Sequence, residues 1–191
     1  ATVPAKTTEE FIAYAKAHPG QISYASPGIG LASHMAAELL KIMAGIDMVH
    51  VPYNGSGPAQ LDVISGRVEI MFDVFHSAKK FAEQGKLKII ALSSASQPDN
   101  IKAYPLISET IPGFSVTSFF GLMVPRGTPR PIIDKIQQDI ARAFNKPDVK
   151  ARLENVGMKV VGSKPEEFAR FVGSESAKWA NVIKVGNLKA E

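Results

Sequence analysis

The chain has 191 residues, 45% of them hydrophobic and 21% charged, which is enough apolar side chain for a core and argues against wholesale disorder. The net charge of +4 is mild and scattered, so no nucleic-acid partner is expected. There is no cysteine, which excludes disulfides and thiolate chemistry, and no apolar run reaches membrane-spanning length.

Thr7-Thr8-Glu9-Glu10 opens the first predicted helix. Thr7 with Glu10 fits a capping box, Phe11, Ile12 and Ala15 give an apolar side, and His18-Pro19-Gly20 ends it. Gln21 to Ala25 reads as a strand. It runs into the turn Ser26-Pro27-Gly28-Ile29-Gly30-Leu31-Ala32-Ser33-His34. A helix follows to about Ala44, with Met35, Leu39, Ile42 and Met43 on one side and Gly45 as its C-terminal cap. Asp47 to Val51 reads as a strand and Tyr53-Asn54-Gly55-Ser56-Gly57 as a second turn. Pro58 suits the first position of a helix to about Ile64. A strand from Val68 to Phe72 ends at Asp73, a helix spans about Ser77 to Glu83, and Leu87 to Leu92 reads as a further strand.

Strand and helix alternating through short links predict an α/β fold with a parallel sheet. Ligands of such sheets sit beyond the carboxyl ends of the strands. Ser26, Tyr53-Asn54, Asp73 and Ser93 occupy those ends and are predicted neighbours. Each glycine turn leads into a helix start, whose free N–H groups and dipole favour an anion.

The remainder is less regular. Gln97 to Pro112 is punctuated by proline, with one helical turn near Ser108, and Phe114 to Val124 is a long β-prone run. Pro125 to Pro129 starts a helix with Ile132, Ile133, Ile136 and Ile140 as its buried stripe. Asn145 to Asp148 caps another helix that ends at Gly157, and Met158 to Val161 reads as a short strand. Ser163 to Glu166 forms a second capping box and opens a long final helix. Three helices after Val124 need a sheet to pack on. Either they cover the first sheet or partner strands lie elsewhere.

Helix ends contribute at most about 2 kcal/mol each, whereas micromolar binding needs about 8 kcal/mol. Hydrogen bonds from Ser26, Ser33 and the amides of Gly28 and Gly30 are expected to add to them. His34 either donates to a carboxylate or caps and packs locally, and the second is favoured. Tyr53 closes over a ligand or simply packs. Asn54 and Gly55 serve turn geometry. Asp73 accepts from a ligand hydroxyl or ammonium, or ties down loop amides, with the second favoured. His50 is expected to be structural, and Asp62, Glu69 and Glu83 to face solvent. Gly28-x-Gly30 has Ser33 where a dinucleotide fingerprint has its third glycine, so no nucleotide cofactor is expected. No catalytic motif appears and the four histidines are too scattered for a metal site.

The turn Ser26 to His34, Val49-His50-Val51-Pro52-Tyr53-Asn54-Gly55 and Gly66 to Asp73 form an ordered set. Gly85-Lys86-Leu87, Pro105 to Glu109 with Pro112-Gly113-Phe114, Pro125 to Pro129 and Pro165 to Trp179 extend it. This set resembles the Bug family, the extracytoplasmic solute receptors of tripartite tricarboxylate transporters. The resemblance implies a periplasmic-binding-protein-like (type II) fold, with one complete lobe over about 7–120 and a returning part of the other over 121–191, joined by a hinge at about 114–124. It implies a non-enzymatic periplasmic receptor that captures a small organic acid or amino acid and delivers it to membrane transporter subunits. The amino-terminal portion of that family, with its signal segment, has no counterpart here. The alternative is a ligand-incompetent fragment that self-associates. On the first reading the ligand is held by Ser26, Gly28, Gly30, Ser33, His34, Tyr53, Asn54, Gly55 and Asp73.

Overall fold

The computed structural model describes residues 3–97 and 101–189. Helix α1 (Thr8–Ala17) starts as its sequence demands: the Thr7 hydroxyl accepts the Glu10 N–H at 3.2 Å. It leads to β1 (Ser23–Ser26), α2 (Ala32–Ala44), β2 (Val49–Pro52), α3 (Ser56–Ser65), β3 (Ile70–Met71) and α4 (Phe75–Glu83). Gly45 closes α2 at φ 62°, a left-handed conformation that glycine enters without a Cβ penalty. Pro58 is the third residue of α3 rather than the first, because Gly55 is the residue that turns the chain into the helix.

The three strands form one parallel sheet in the order β2-β1-β3. Ser23 pairs with Val49 and Ser26 with Pro52 on one side, and Ala25 pairs with Met71 on the other. The central strand is buried: Tyr24, Ala25 and Ser26 are all at 0% exposure. The core packs Phe11, Ala15, Ile22, Met35, Leu40 and Phe114 together.

Two runs predicted as strands, and the β-prone run Phe114 to Val124, are not strands. Leu87 to Leu92 adds no ladder to the sheet; only Leu92 bridges, to Leu106, ahead of the short helix α5 (Ile107–Thr110). Phe114 to Val124 and Met158 to Val161 join no strand ladder among the described residues: Val116 exchanges bonds with Ser93 alone, its N–H donating to the Ser93 carbonyl at 2.7 Å and its carbonyl accepting the Ser93 hydroxyl at 3.0 Å. Their composition favours strands, but a strand exists only where a neighbour supplies its hydrogen bonds. The helices α6 (Arg130–Phe144), α7 (Pro147–Asn155) and α8 (Pro165–Val185) form where their first-turn prolines and apolar spacing place them. The caps expected from Asn145 to Asp148 and Ser163 to Glu166 do not form: no side chain caps the start of α7 or α8, and Glu167 rather than Glu166 reaches back, accepting the Lys164 N–H at 3.1 Å. The α6 stripe is not buried, however, and Ile132 remains 50% exposed. Only the end of α8 reaches the core, through buried Val182 with Trp179 beside it. Between β3 and these helices lies an open apolar trough of about 2560 Å³, lined by Ile89, Leu92, Met123, Ile136 and Phe168 among others. No described helix is long and apolar enough to cross a membrane.

Candidate functional site

The two glycine corners stand at the carboxyl ends of neighbouring strands, and the backbone ties them together. The Tyr53 N–H donates to the Ser26 carbonyl at 2.9 Å, and the Gly55 N–H donates to the Pro27 carbonyl at 2.9 Å. Gly30 (φ 76°) and Gly55 (φ 105°) both lie where a side chain would be strained. Those angles let α2 and α3 start immediately after the corners. Neither helix has a side-chain cap at its start. The first-turn amides of Ala32 and Ser33 on α2, and of Ser56 and Gly57 on α3, have no carbonyl one turn back to bond. Pro58, the next residue of α3, has no N–H to satisfy.

Several predicted residues are already occupied within the protein. The Ser26 hydroxyl is fully buried, donates to the Gly28 carbonyl at 3.2 Å and lies 2.6 Å from His50 Nε2. The Gly30 N–H donates to His34 Nδ1 at 3.0 Å, so His34 closes its own turn instead of pointing outward. The Tyr53 hydroxyl donates to Asp62 Oδ2 at 2.7 Å, and Asp62 also accepts from Arg67 Nε at 2.9 Å. Gly28 sits on the corner and Asn54 is exposed beside it. The Ser33 and Asn54 side chains have no hydrogen bond among the described residues.

Asp73 follows β3 at the same sheet end. Its Oδ2 accepts from Gln60, which also donates to the Ser77 hydroxyl at 2.6 Å, and its Oδ1 is buried with no partner among the described residues. Asp73 therefore does not tie down the glycine loop. A buried carboxylate oxygen without a donor is costly, which marks it as an acceptor in need of a partner. Asp73 and Ser33 both line the open trough.

Two expectations about charged residues are corrected. Glu69 does not project freely into solvent: it accepts the Ser23 N–H at 2.8 Å and the Ser23 hydroxyl at 2.6 Å, bracing β1. Asp62 is held by Tyr53 and Arg67, and the Arg67 bond leads the forces keeping its pKa below the usual carboxylate range.

Beneath the corners lies a polar cluster that only the assembled fold reveals. Tyr24 donates to Glu38 Oε1 at 2.5 Å, and Lys41 Nζ donates to the same oxygen at 3.0 Å. Burial, then Glu38, raises the Tyr24 phenol pKa, keeping it a donor. The His50 ring stacks between Tyr24 (4.8 Å) and His34 (4.1 Å). Burial is the main force lowering the pKa of both histidines, His50 to about 4, so each is neutral near pH 7. Glu38 and Gln60 were not expected here, although each had a signal: a polar residue within the buried face of a helix, Glu38 between Met35 and Leu39 and Gln60 next to Ala59.

The architecture has counterparts in known proteins. Residues 1–188 match the model of the tripartite tricarboxylate transporter family receptor. Protein BugT of Bordetella pertussis is 28% identical over 177 residues, covering 92% of this chain and 54% of that protein. The chain spans about half the length of most of the curated relatives it matches, 51% of one 34% identical relative and 54% of BugT. Among solved structures, R. palustris Rpa4515 with adipate superimposes with a TM-score of 0.86 at 29% identity, covering 97% of this chain and 62% of that one. MatC from Rhodopseudomonas palustris with bound malate gives 0.77 at 30% identity, covering 95% and 63%. Both solved relatives carry a small dicarboxylate. These comparisons lend no support to a self-associating fragment without a ligand. Extended over nearly the whole chain, the family match states what the fold and its paired corners had suggested: the chain belongs to the tripartite tricarboxylate transporter receptor family.

Proposed function

We propose that this chain forms the carboxylate-gripping part of a periplasmic solute receptor serving a tripartite tricarboxylate-type transporter. One observation carries the reading: two glycine corners, tied to each other by the Gly55 to Pro27 hydrogen bond, each begin a helix whose first amides are unbonded. A carboxylate seated there gains both helix dipoles and several charge-assisted hydrogen bonds at about 1.5–3 kcal/mol each. Gly28, Ser33, Asn54 and the amides of Ala32, Ser33, Ser56 and Gly57 are the groups assigned to contact it. Ser26, Gly30, His34, Tyr53 and Gly55 shape the corner. Asp73 Oδ1 is assigned to accept from a hydroxyl or ammonium on the ligand, favouring hydroxy or amino acids over plain dicarboxylates. The cleft lies between a lobe at about 7–120 and a carboxyl-terminal part at 121–191. The reading involves no chemical step.

Calorimetric titration of the full chain with malate, aspartate, succinate and adipate tests it. The expected result is binding of at least one of them, weakened at least about tenfold in Gly30→Val because a β-branched residue cannot hold the left-handed turn. Asp73→Asn is expected to erase preference for the substituted acids. No heat with any of the four, or unchanged affinity in Gly30→Val, sinks the proposal.

A further inference from the structure

We propose that His34 and His50 are positioning residues that hold the glycine corner in its anion-binding shape only while both are uncharged, so that acid releases the ligand. The proposal rests on the receptor reading above and concerns what supports the corner from below. Each imidazole serves one glycine. His34 Nδ1 accepts the Gly30 N–H, which requires that nitrogen to be unprotonated and puts the ring proton on Nε2. His50 serves Gly28 through Ser26. The serine has one proton and donates it to the Gly28 carbonyl, so the 2.6 Å contact to His50 is made with Nε2–H as donor. The sequence His50, Ser26, Gly28 carbonyl is a relay of two donated hydrogen bonds.

The rings that carry these bonds face each other at 4.1 Å with 11° between their planes. Protonating His34 at Nδ1 replaces an acceptor by a donor aimed at the Gly30 N–H, and the bond is lost. Protonating His50 places a positive charge against the His34 ring. Two charged imidazoles in a buried stack repel each other and lose solvation together. The charged groups acting on the pair are both on α2, with opposite signs: Glu38 favours protonation and Lys41 opposes it. From β1 the facing group is the Tyr24 phenol, which is itself engaged by Glu38. Glu38 acts more strongly than Lys41, and burial outweighs both, so the neutral form is favoured. His34 is 5% exposed and Ser26 is at 0%, so neither is a contact surface for a solute. Their conformity to the corner is their role.

The test uses the full chain with 15N-labelled histidine and backbone amides. Near pH 7, the His34 ring is expected as the Nε2–H tautomer and the Gly30 amide as protected from exchange. Between pH 6.5 and 4 the wild-type Gly30 protection factor is expected to fall. His34→Asn places an uncharged acceptor near the position of Nδ1, so protection is retained and does not vary over that range. His34→Leu is unprotected throughout. Malate and adipate titrations at pH 7.5 and 4.5 supply the functional arm. The ligands' own carboxyls titrate in that window, so the quantity read is the ratio of wild-type to His34→Asn affinity. That ratio is expected to fall about tenfold, the change one pKa unit of differential protonation produces. A constant ratio, a Gly30 protection factor that ignores pH in the wild type, or a His34→Asn profile matching the wild type overturns the proposal. If neither acid binds while Gly30 still responds to pH through His34, the ligand assignment fails and the positioning of the corner stands.

Discussion

Residues 3–116 and residues 117–181 both carry apolar side chains at regular spacing, and only the first stretch buries them. In the first, Tyr24, Ala25, Ile22 and Phe114 lie at 0–2% exposure around a three-stranded sheet. In the second no residue is buried, and Phe120, Leu122, Met123 and Val161 are at 63–87%. Three helices form there regardless, because proline at the first turn and i,i+4 ion pairs such as Arg130–Asp134 act within a few residues. Burial needs an opposing surface, and strands need partners. The glycine corners belong to the finished side, where the sheet fixes their distance from each other. A small-molecule site requires that rigidity, since each hydrogen bond must be in place before the ligand arrives.

The comparison is tested most strongly at Phe114. Its ring is 1% exposed and stacks on Phe72 at 6.4 Å. Phe114→Ala is expected to cost about 3–5 kcal/mol in urea unfolding, through lost transfer energy and the cavity left behind. Tyr24→Phe is expected to cost about 1.5–3 kcal/mol, because it takes a donor from a Glu38 carboxylate that is 4% exposed. A near-neutral result at either site would mean that the core around β1 is as loosely held as the helices after Val124.

Acid is expected to have a smaller effect, confined to the same finished side. Both histidines beneath the corner have lowered pKa values in the fold, His50 about 4, against about 6.5 when unfolded. Between those values the unfolded chain binds more protons than the folded one, so stability rises with pH. Their contribution is fully present above about pH 6.5 and is lost as pH falls toward about 4. Urea midpoints measured at half-unit steps are expected to decline through that window, and to decline less in the double variant His34→Asn with His50→Gln.

What was legible in the sequence follows the same division. The Thr7 cap, the Gly45 stop and the alternation of β1, α2, β2 and α3 are local signals, and the alternation was enough to place Ser26, Asn54 and Asp73 at one sheet end. The engagement of Ser26 by His50 was not legible, because it depends on the register that sets Ser26 against Pro52 and Tyr24 against His50. Glu38 could have been found as the one acid within an apolar stripe. Leu87 to Leu92 and Met158 to Val161 read as strands for a sound compositional reason, yet pairing is a property of two segments and neither run determines its partner. The freedom of Asp73 Oδ1 was equally hidden, since it reflects where Gln60 points.

The smallest expected effect sharpens the comparison further. Phe120 is 87% exposed, as open as any large apolar side chain among the described residues, and sits between Phe119, which packs on Phe168 and Phe171, and Gly121, where an added Cβ would run into the Phe168 ring. Phe120→Ala is expected to change the unfolding free energy measured in urea by no more than about 0.5 kcal/mol, the range of an exposed substitution. Its contrast with Phe114→Ala separates two aromatic residues six positions apart by burial alone. A cost approaching that of Phe114→Ala would show that residues 117–124 are covered in solution by a surface absent from the contacts described above. The trough beside β3 would then be a packed interior, and the division at residue 116 would no longer describe the molecule.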